Sequence, residues 1–279
     1  MRKLCMFRLA AALLALSGLA WAGCGSQTAG EALSFDTAAL GLIDAGSPAQ
    51  AFTNNRGWTI TLQTARLAMG PVYYYSGDAL VRRGDPLLER LLGIGTAYAC
   101  PAHAQLDKGA VLGEIRRQYV VDLLADAPAD TGVSHGEQGQ CRAFELHFHP
   151  PGQVTAGSDE TAFAPLYGHS FVIGGVAGKD GASVAFSGLL TIPDEGTMRI
   201  VESVPADLAL DGRPGKAVVR IHVDRQLANL DFASIVDDAG ACLEDAGEGI
   251  CRISQDSQAY LAWLSGVRSR ESYSLEWRE

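Results

Sequence analysis

The chain has 279 residues, and 47% of them are hydrophobic, which is enough to build a large core. Its formal charge of −10 disfavours binding to the phosphate backbone of nucleic acids or to anionic lipid headgroups. Glycine accounts for 32 residues, about 11% against a usual ~7%, and this favours many turns and short strands.

The first 24 residues have the pattern of an export signal. Three basic residues precede an apolar stretch from Leu9 to Ala20, and the segment ends in Trp21-Ala22-Gly23-Cys24. This ending resembles the signal of bacterial lipoproteins, in which the cysteine is lipidated and becomes the new N-terminus. Trp21 departs from that pattern, because leucine is usual at its position.

The resemblance implies a signal peptide over residues 1–23, a lipid on Cys24, and a protein anchored in the cell envelope, at the outer membrane or the periplasmic face. The alternative is an ordinary cleaved signal and a secreted protein. The apolar stretch is shorter than the ~20 residues of a spanning helix, and no later segment is expected to cross a membrane. Removing the three basic signal residues leaves 19 basic and 32 acidic residues, a charge of −13.

Alternation of apolar and polar residues predicts a series of short strands. They are Trp58–Gln63, Val72–Tyr75, Gln118–Leu124, Cys141–His149, a hairpin of Ser170–Val176 and Ser183–Leu190 with its turn at Gly178–Gly181, Ala217–Asp224 and Ser272–Trp277. Two short helices are expected, one opened by Asp85-Pro86 and one that follows Ser254 and ends at Gly266. The polar residues 126–140 are expected to form a long loop.

These elements predict a mainly β protein, an antiparallel β-sandwich with one or two short helices. Helices that alternate regularly with strands are missing, which disfavours a doubly wound fold. The folded domain is predicted to cover residues 37–279, after a lipid-anchored tether at residues 24–36.

The strand Cys141–His149 shows the clearest alternation. Its apolar face carries Phe144, Leu146 and Phe148, and the opposite face carries Glu145, His147 and His149. Residues two apart on a strand share a face and lie about 6.5 Å apart along the axis, so the two imidazoles can converge on one metal ion. Copper or zinc suits such a site. A hydrated strand face that binds no metal is the alternative.

A metal site of this kind needs a third ligand from elsewhere in the chain. The candidates are His103, His169 and His222. His135 lies in the predicted loop and is a weaker candidate.

Four cysteines remain after the signal and the lipidation site. They are Cys100, Cys141, Cys242 and Cys251. An even number in an oxidising compartment predicts two disulfide bonds, for which three connectivities are possible. The short loop between Cys242 and Cys251 favours that pair and leaves Cys100–Cys141 by elimination, which would bring His103 near the His147 strand. The alternative, thiolate metal ligands, lacks a C-x-x-C spacing.

Two further patterns bear on activity. His147-Phe148-His149, followed by Gly152, Thr155-Ala156-Gly157, Phe163–Leu166 and His169, is similar to the region after the copper pair of Cu/Zn superoxide dismutases. That resemblance implies a dismutase, but the bridging histidine expected near Thr161 or Ala162 and the run of zinc histidines are missing. Gly132-Val133-Ser134-His135-Gly136 matches the nucleophile elbow of hydrolases, yet its flanks are typical of a loop.

Two functional hypotheses follow from these patterns. The first is an exported lipoprotein that binds copper or zinc through histidines. The second is a non-enzymatic envelope module that binds a protein or a glycan; exposed aromatic residues without converging histidines favour it, and Tyr73, Tyr74 and Tyr75 are the residues to examine. An enzyme is the less favoured reading.

Overall fold

The computed structural model describes residues 30–43, 51–78, 108–148, 166, 168–195, 197–236, 242–243 and 249–279. The strands in these ranges are β1 (Ala32–Leu42), β2 (Ala51–Thr53), β3 (Thr59–Met69), β4 (Val72–Tyr75), β5 (Val111–Ile115), β6 (Tyr119–Asp122), β7 (Ala129–Glu137), β8 (Gly139–His147), β9 (Phe171–Lys179), β10 (Ala182–Leu190), β11 (Ile200–Leu210), β12 (Lys216–His222), β13 (Cys242–Leu243), β14 (Ile250–Ile253) and β15 (Tyr273–Arg278). The helices are α1 (Val223–Gln226), α2 (Ala233–Val236) and α3 (Gln258–Arg268), and a 3₁₀ turn covers Arg270–Ser272.

The strands form two sheets that pack against each other. The larger sheet has the order β11-β8-β4-β5-β7-β1-β12-β15, and the smaller has the order β13-β14-β10-β9-β3-β2, with β6 added beside β3. The end strands β11 and β15 of the larger sheet also lie against one another, so that sheet is strongly curled. The prediction of a mainly β protein built as a sandwich with few short helices is therefore confirmed.

Two strand pairs are parallel, which the antiparallel prediction did not include. β1 pairs with β12, and β10 pairs with β14. A parallel pair needs a long crossover between its strands. Long stretches of chain separate the members of both pairs, and their other neighbours are antiparallel.

The largest of the three hydrophobic clusters in the described residues lies between the sheets. Phe144, Leu146 and Phe148 are fully buried in it, as the alternation in β8 predicted. Trp263 of α3 is also fully buried, and its ring centroid lies 5.2 Å from that of Phe171 on β9. Each such side chain stabilises the fold by roughly 1.5–3 kcal/mol relative to exposure.

The predicted loop over residues 126–140 is wrong, because β7 occupies most of it. The inward residues of β7 are polar but hydrogen-bonded. The Thr131 hydroxyl donates to the Thr37 carbonyl at 2.8 Å, and the Ser134 and Thr37 hydroxyls lie 2.5 Å apart. Buried hydroxyls with such partners are compatible with a sheet interior, although in sequence they resemble a loop.

The start of the domain also differs from the prediction. β1 begins at Ala32, inside the segment predicted to be a tether over residues 24–36, and Phe35 is already part of the core. Both faces of the second half of β1 are buried, so this half shows no alternation that could identify a strand. The predicted signal over residues 1–23, Cys24 and the helix opened by Asp85 lie outside the described residues.

Three predicted boundaries shift for local reasons. Ser257, not Ser254, caps α3 by accepting a hydrogen bond from the Tyr260 amide at 3.1 Å. Gly266 does not end the helix, which continues to Arg268. The β9–β10 turn has only two residues, Asp180 and Gly181, both with positive φ, as in the favoured hairpin turns.

Candidate functional site

The outer face of the larger sheet carries a group of aromatic and charged side chains. Tyr73 on β4 lies directly between Glu114 on β5 and Glu145 on β8 in the strand register. Tyr74 points the opposite way, is fully buried, and has its hydroxyl 3.4 Å from that of Thr37. Tyr73 and Tyr75 therefore face outward, where both are half-buried.

Glu145 is the centre of this group and is 6% exposed. The Lys108 ammonium donates to Oε2 of Glu145 at 2.6 Å, and Nε2 of His147 lies 2.8 Å from Oε1. Lys108 Nζ also lies 5.7 Å from the ring centroid of Tyr75, and the His147 ring lies 5.4 Å from that of Tyr73. We call these five residues, Tyr73, Tyr75, Lys108, Glu145 and His147, the outer-face cluster.

The contacts fix the charges within the cluster. Burial opposes ionisation of Glu145, but the hydrogen bonds from His147 and Lys108 outweigh it and lower the pKa of the carboxyl. Burial likewise opposes the charge on Lys108, but Glu145 outweighs it and raises the pKa of the amine. Burial raises the pKa of Tyr75 to about 12. At neutral pH its hydroxyl is therefore protonated and can donate a hydrogen bond.

The predicted polar face of β8 is present, and the carboxylate on it already contacts two nitrogen atoms. Glu145 and His147 share that face, as expected. The Lys108 ammonium, however, already lies where a cation would approach the carboxylate. No group of three or more His, Cys, Asp or Glu side chains suited to a metal ion occurs within the described ranges.

The other histidines of the described chain are held by hydroxyl groups. His135 Nδ1 lies 3.0 Å from the Ser34 hydroxyl, His169 Nδ1 lies 2.6 Å from that of Thr191, and His222 Nε2 lies 3.0 Å from that of Ser274. The predicted ligands His169 and His222 thus do not join His147 in a three-residue group here. His103 and His149 lie outside the described residues, so a copper or zinc site stays a prediction.

Cys141 differs from its prediction. It is a free thiol, fully buried, with Sγ 3.3 Å from the Ala143 carbonyl oxygen. Burial raises the pKa of this thiol to about 11. The predicted Cys100–Cys141 bond is therefore not formed at Cys141, because that side chain points into the core; Cys100 lies outside the described residues. Without the Cys100–Cys141 bond, the sequence gives no reason to expect His103 near β8.

The second predicted bond has a compatible backbone. Cys251 is disulfide-bonded, and Cys242 on β13 is its direct neighbour in the antiparallel register with β14. The side chain of Cys242 is outside the description, so the Cys242–Cys251 pairing stays a prediction.

The G-x-S-x-G pattern does not form a nucleophile elbow. Its five residues lie within β7 rather than on a strand-to-helix turn, and Ser134 is fully buried with its hydroxyl bound to Thr37. This arrangement gives Ser134 a structural role.

Lys108 is the member of the cluster that the sequence did not indicate. It precedes β5, where no periodicity marks it, and it meets Glu145 only because β4 and β5 pair beside β8.

No helix in the described part of the chain is long and apolar enough to cross a membrane. No known protein family, curated protein or solved structure matches this chain.

Proposed function

We propose that this protein is an exported, lipid-anchored envelope module that binds a glycan on the outer-face cluster. Export and anchoring rest on the lipoprotein-like signal that ends at Cys24. The observation that carries the binding role is the pair of outward tyrosines, Tyr73 and Tyr75, beside the hydrogen-bonding groups of Lys108, Glu145 and His147.

A glycan matches both halves of this surface. Sugar rings have apolar C–H faces that stack on flat aromatic rings, and hydroxyl edges that need donors and acceptors. Half-buried tyrosines supply rigid amphipathic area at little cost in conformational entropy. The bonds of Glu145 to Lys108 and His147 hold the surrounding polar groups in place before a ligand arrives.

A protein partner fits the surface less well. Charged side chains surround the cluster, including Glu114 (27% exposed), Glu202 (45% exposed) and Arg116 (78% exposed). A protein interface would remove water from these charges, and the desolvation cost exceeds what exposed ion pairs return. A small oligosaccharide leaves much of that water in place.

Binding of the full-length protein, extracted in mild detergent, to an array of neutral, acidic and amine-bearing glycans tests the proposal. We expect Tyr73→Ala and Tyr75→Ala each to weaken binding about tenfold, which corresponds to ~1.4 kcal/mol. Tyr73→Phe keeps the ring and should bind nearly as well. Val133→Ala, an exposed site on β7 of the same sheet, is the matched control.

Failure of every glycan to bind would contradict the proposal. So would normal binding by both tyrosine-to-alanine variants that retain native circular dichroism.

A second candidate function is binding of copper or zinc. It is favoured by Glu145 and His147 lying on one strand face, with His149 two residues beyond in the sequence. Metal analysis of the purified protein and of His147→Ala and His149→Ala tests it. Saturable uptake that both variants abolish supports a metal site, and no uptake at micromolar metal contradicts it.

A further inference from the structure

A polar cavity of about 430 Å³ opens where three segments meet, away from the strands that carry the outer-face cluster. The segments are the turn between β2 and β3, the helix α1 with its following turn, and the chain from the end of α3 to the 3₁₀ turn. Its side chains are amides, hydroxyls and charged groups, with alanine as the largest apolar one. Small-molecule sites are usually apolar at this size, so the cavity suits a hydrophilic ligand.

Hydrogen bonds hold the walls of the cavity in place. Asn54, 7% exposed, donates to the carbonyls of Leu227 and Leu230 at 3.2 and 2.7 Å and accepts from two amides of its own turn. The Ser272 hydroxyl donates to the Gly266 carbonyl at 2.8 Å. Because these bonds join groups of the protein to one another, binding would require little ordering of the protein.

Gly266 allows α3 to approach α1 closely. A Cβ at this position would lie 2.1 Å from the carbonyl oxygen of Gln226, which is a severe clash. The carboxyl end of α3 is therefore brought to the rim of the cavity, where Ser265, Gly266 and Ser269 line it.

The side chains that line the cavity carry one more negative charge than positive. Asp224 and Glu271 supply two carboxylates against the single guanidinium of Arg225, whose Nη1 already donates to the Glu271 carbonyl at 2.6 Å. The carboxyl end of the 11-residue helix α3 adds partial negative charge, part of which Arg268 in its last turn offsets. Phosphates and carboxylate ligands are therefore disfavoured, and an ammonium group is favoured.

We propose that this cavity binds a small polyol that carries an amine, such as an amino sugar. The Glu271 carboxylate attracts the ammonium and Asp224 adds to the negative charge, while Ser269 and the amides of Asn55 and Asn229, which lie 3.4 Å apart, offer hydrogen-bonding groups to the ligand hydroxyls. The volume lies in the usual range of ~300–1,000 Å³ for small-molecule sites. The cavity contains none of the residues of the outer-face cluster. A result against this proposal would therefore not count against the glycan proposal, and the reverse also holds.

Three matched sugars test the ligand class by calorimetry on the full-length protein in mild detergent. Glucosamine, at a pH where its amine is protonated, is expected to bind with a Kd on the order of 1 mM, as ligand efficiency suggests for a molecule of this size. Glucose is expected to bind at least fivefold more weakly, and glucuronate not measurably. Absence of saturable glucosamine binding, or equal binding of glucuronate, would overturn the proposal.

Matched variants locate the binding in this cavity. Asp224→Asn and Glu271→Gln should each weaken glucosamine binding at least fivefold. Glu31→Gln removes the same charge just before the start of β1. The opposite end of β1, at Leu42, pairs with His222 next to α1, so Glu31 lies far from the cavity. This variant should leave binding unchanged. Glu271 is exposed, so Glu271→Gln decides the matter even where Asp224→Asn impairs folding. Equal weakening by Glu31→Gln would place the binding elsewhere and contradict the proposal.

Discussion

The Lys108 ammonium and the Glu145 carboxylate form a contact of 2.6 Å, with side chains that are only 20% and 7% exposed. Arg116 and Glu114 form a contact of the same length on the same sheet, but there the side chains are 78% and 27% exposed. Removing one partner of a shielded pair leaves an uncompensated charge, whereas water compensates for the loss in an exposed pair. The two pairs should therefore respond differently to mutation.

Lys108→Met should lower the free energy of unfolding by about 1–3 kcal/mol, because Glu145 keeps its charge and loses its closest cation. The double variant Lys108→Met/Glu145→Gln should recover part of this loss, since the buried group is then neutral. Urea denaturation measures both. Arg116→Met is the control and should leave the midpoint unchanged; an equal loss in that variant would contradict the role of burial.

The stabilising effect of Glu145 should depend on pH. Its pKa in the folded protein lies below the ordinary value of 4.5, so its ionised form is favoured by folding. The contribution is complete above the unfolded-state pKa and is lost as pH falls towards the folded-state pKa. The stability advantage of the wild type over Glu145→Gln should therefore narrow between about pH 5 and pH 3. Urea midpoints across this range measure it, and a constant difference would contradict the prediction.

Two adjacent glycines in β9 should respond in opposite ways to alanine. A Cβ at Gly175 would lie 2.2 Å from the Thr61 carbonyl oxygen, whereas at Gly174 the nearest atom is the Phe186 carbonyl oxygen at 3.5 Å. Gly175→Ala should cost about 1–3 kcal/mol, because the β3–β9 pair must separate. Gly174→Ala should be neutral or slightly stabilising, since it restricts the unfolded chain. Thermal unfolding of the two variants gives the comparison, and similar values would contradict it.

The Cys141 thiol should be inert in the native protein. It is fully buried and its pKa is raised to about 11, so almost no accessible thiolate exists at pH 8. Iodoacetamide followed by peptide mass spectrometry should label Cys141 only after urea is added. Native labelling at the rate of a free peptide thiol would show that β8 opens readily.

The Cys242–Cys251 bond should appear as a linked peptide pair in a non-reducing digest. Cys251→Ser should then lower the free energy of unfolding by about 2–3 kcal/mol, as loop-closure entropy gives for a loop of this length. Alkylation of both cysteines without reductant would contradict the pairing.

Sequence patterns identified the parts of the fold where apolar side chains alternate. Phe144, Leu146 and Phe148 were placed correctly for this reason. β7 was missed because hydroxyl pairing, not apolar character, satisfies Thr131 and Ser134 in the interior. Its bonds depend on Thr37, about 95 residues away, and no local pattern reports such a partner.

The candidate sites were predictable only in part. The shared face of Glu145 and His147 follows from strand periodicity, and the run of Tyr73, Tyr74 and Tyr75 indicates an aromatic strand. Lys108 reaches Glu145 through strand pairing, and the polar cavity joins segments from Thr53 to Ser272. Contacts of this range depend on the topology of both sheets, which a sequence alone does not specify.

The position of β1 governs when the larger sheet can form. Although it is the first strand described, β1 lies in the interior of that sheet, between β7 and β12. Its two partners follow about 100 and 180 residues later, and closing such long loops is slow. The larger sheet therefore cannot be completed during synthesis until β12 has been made. Under the proposed export, an assembly order that completes the central strand late would keep the chain unfolded until it has crossed the membrane.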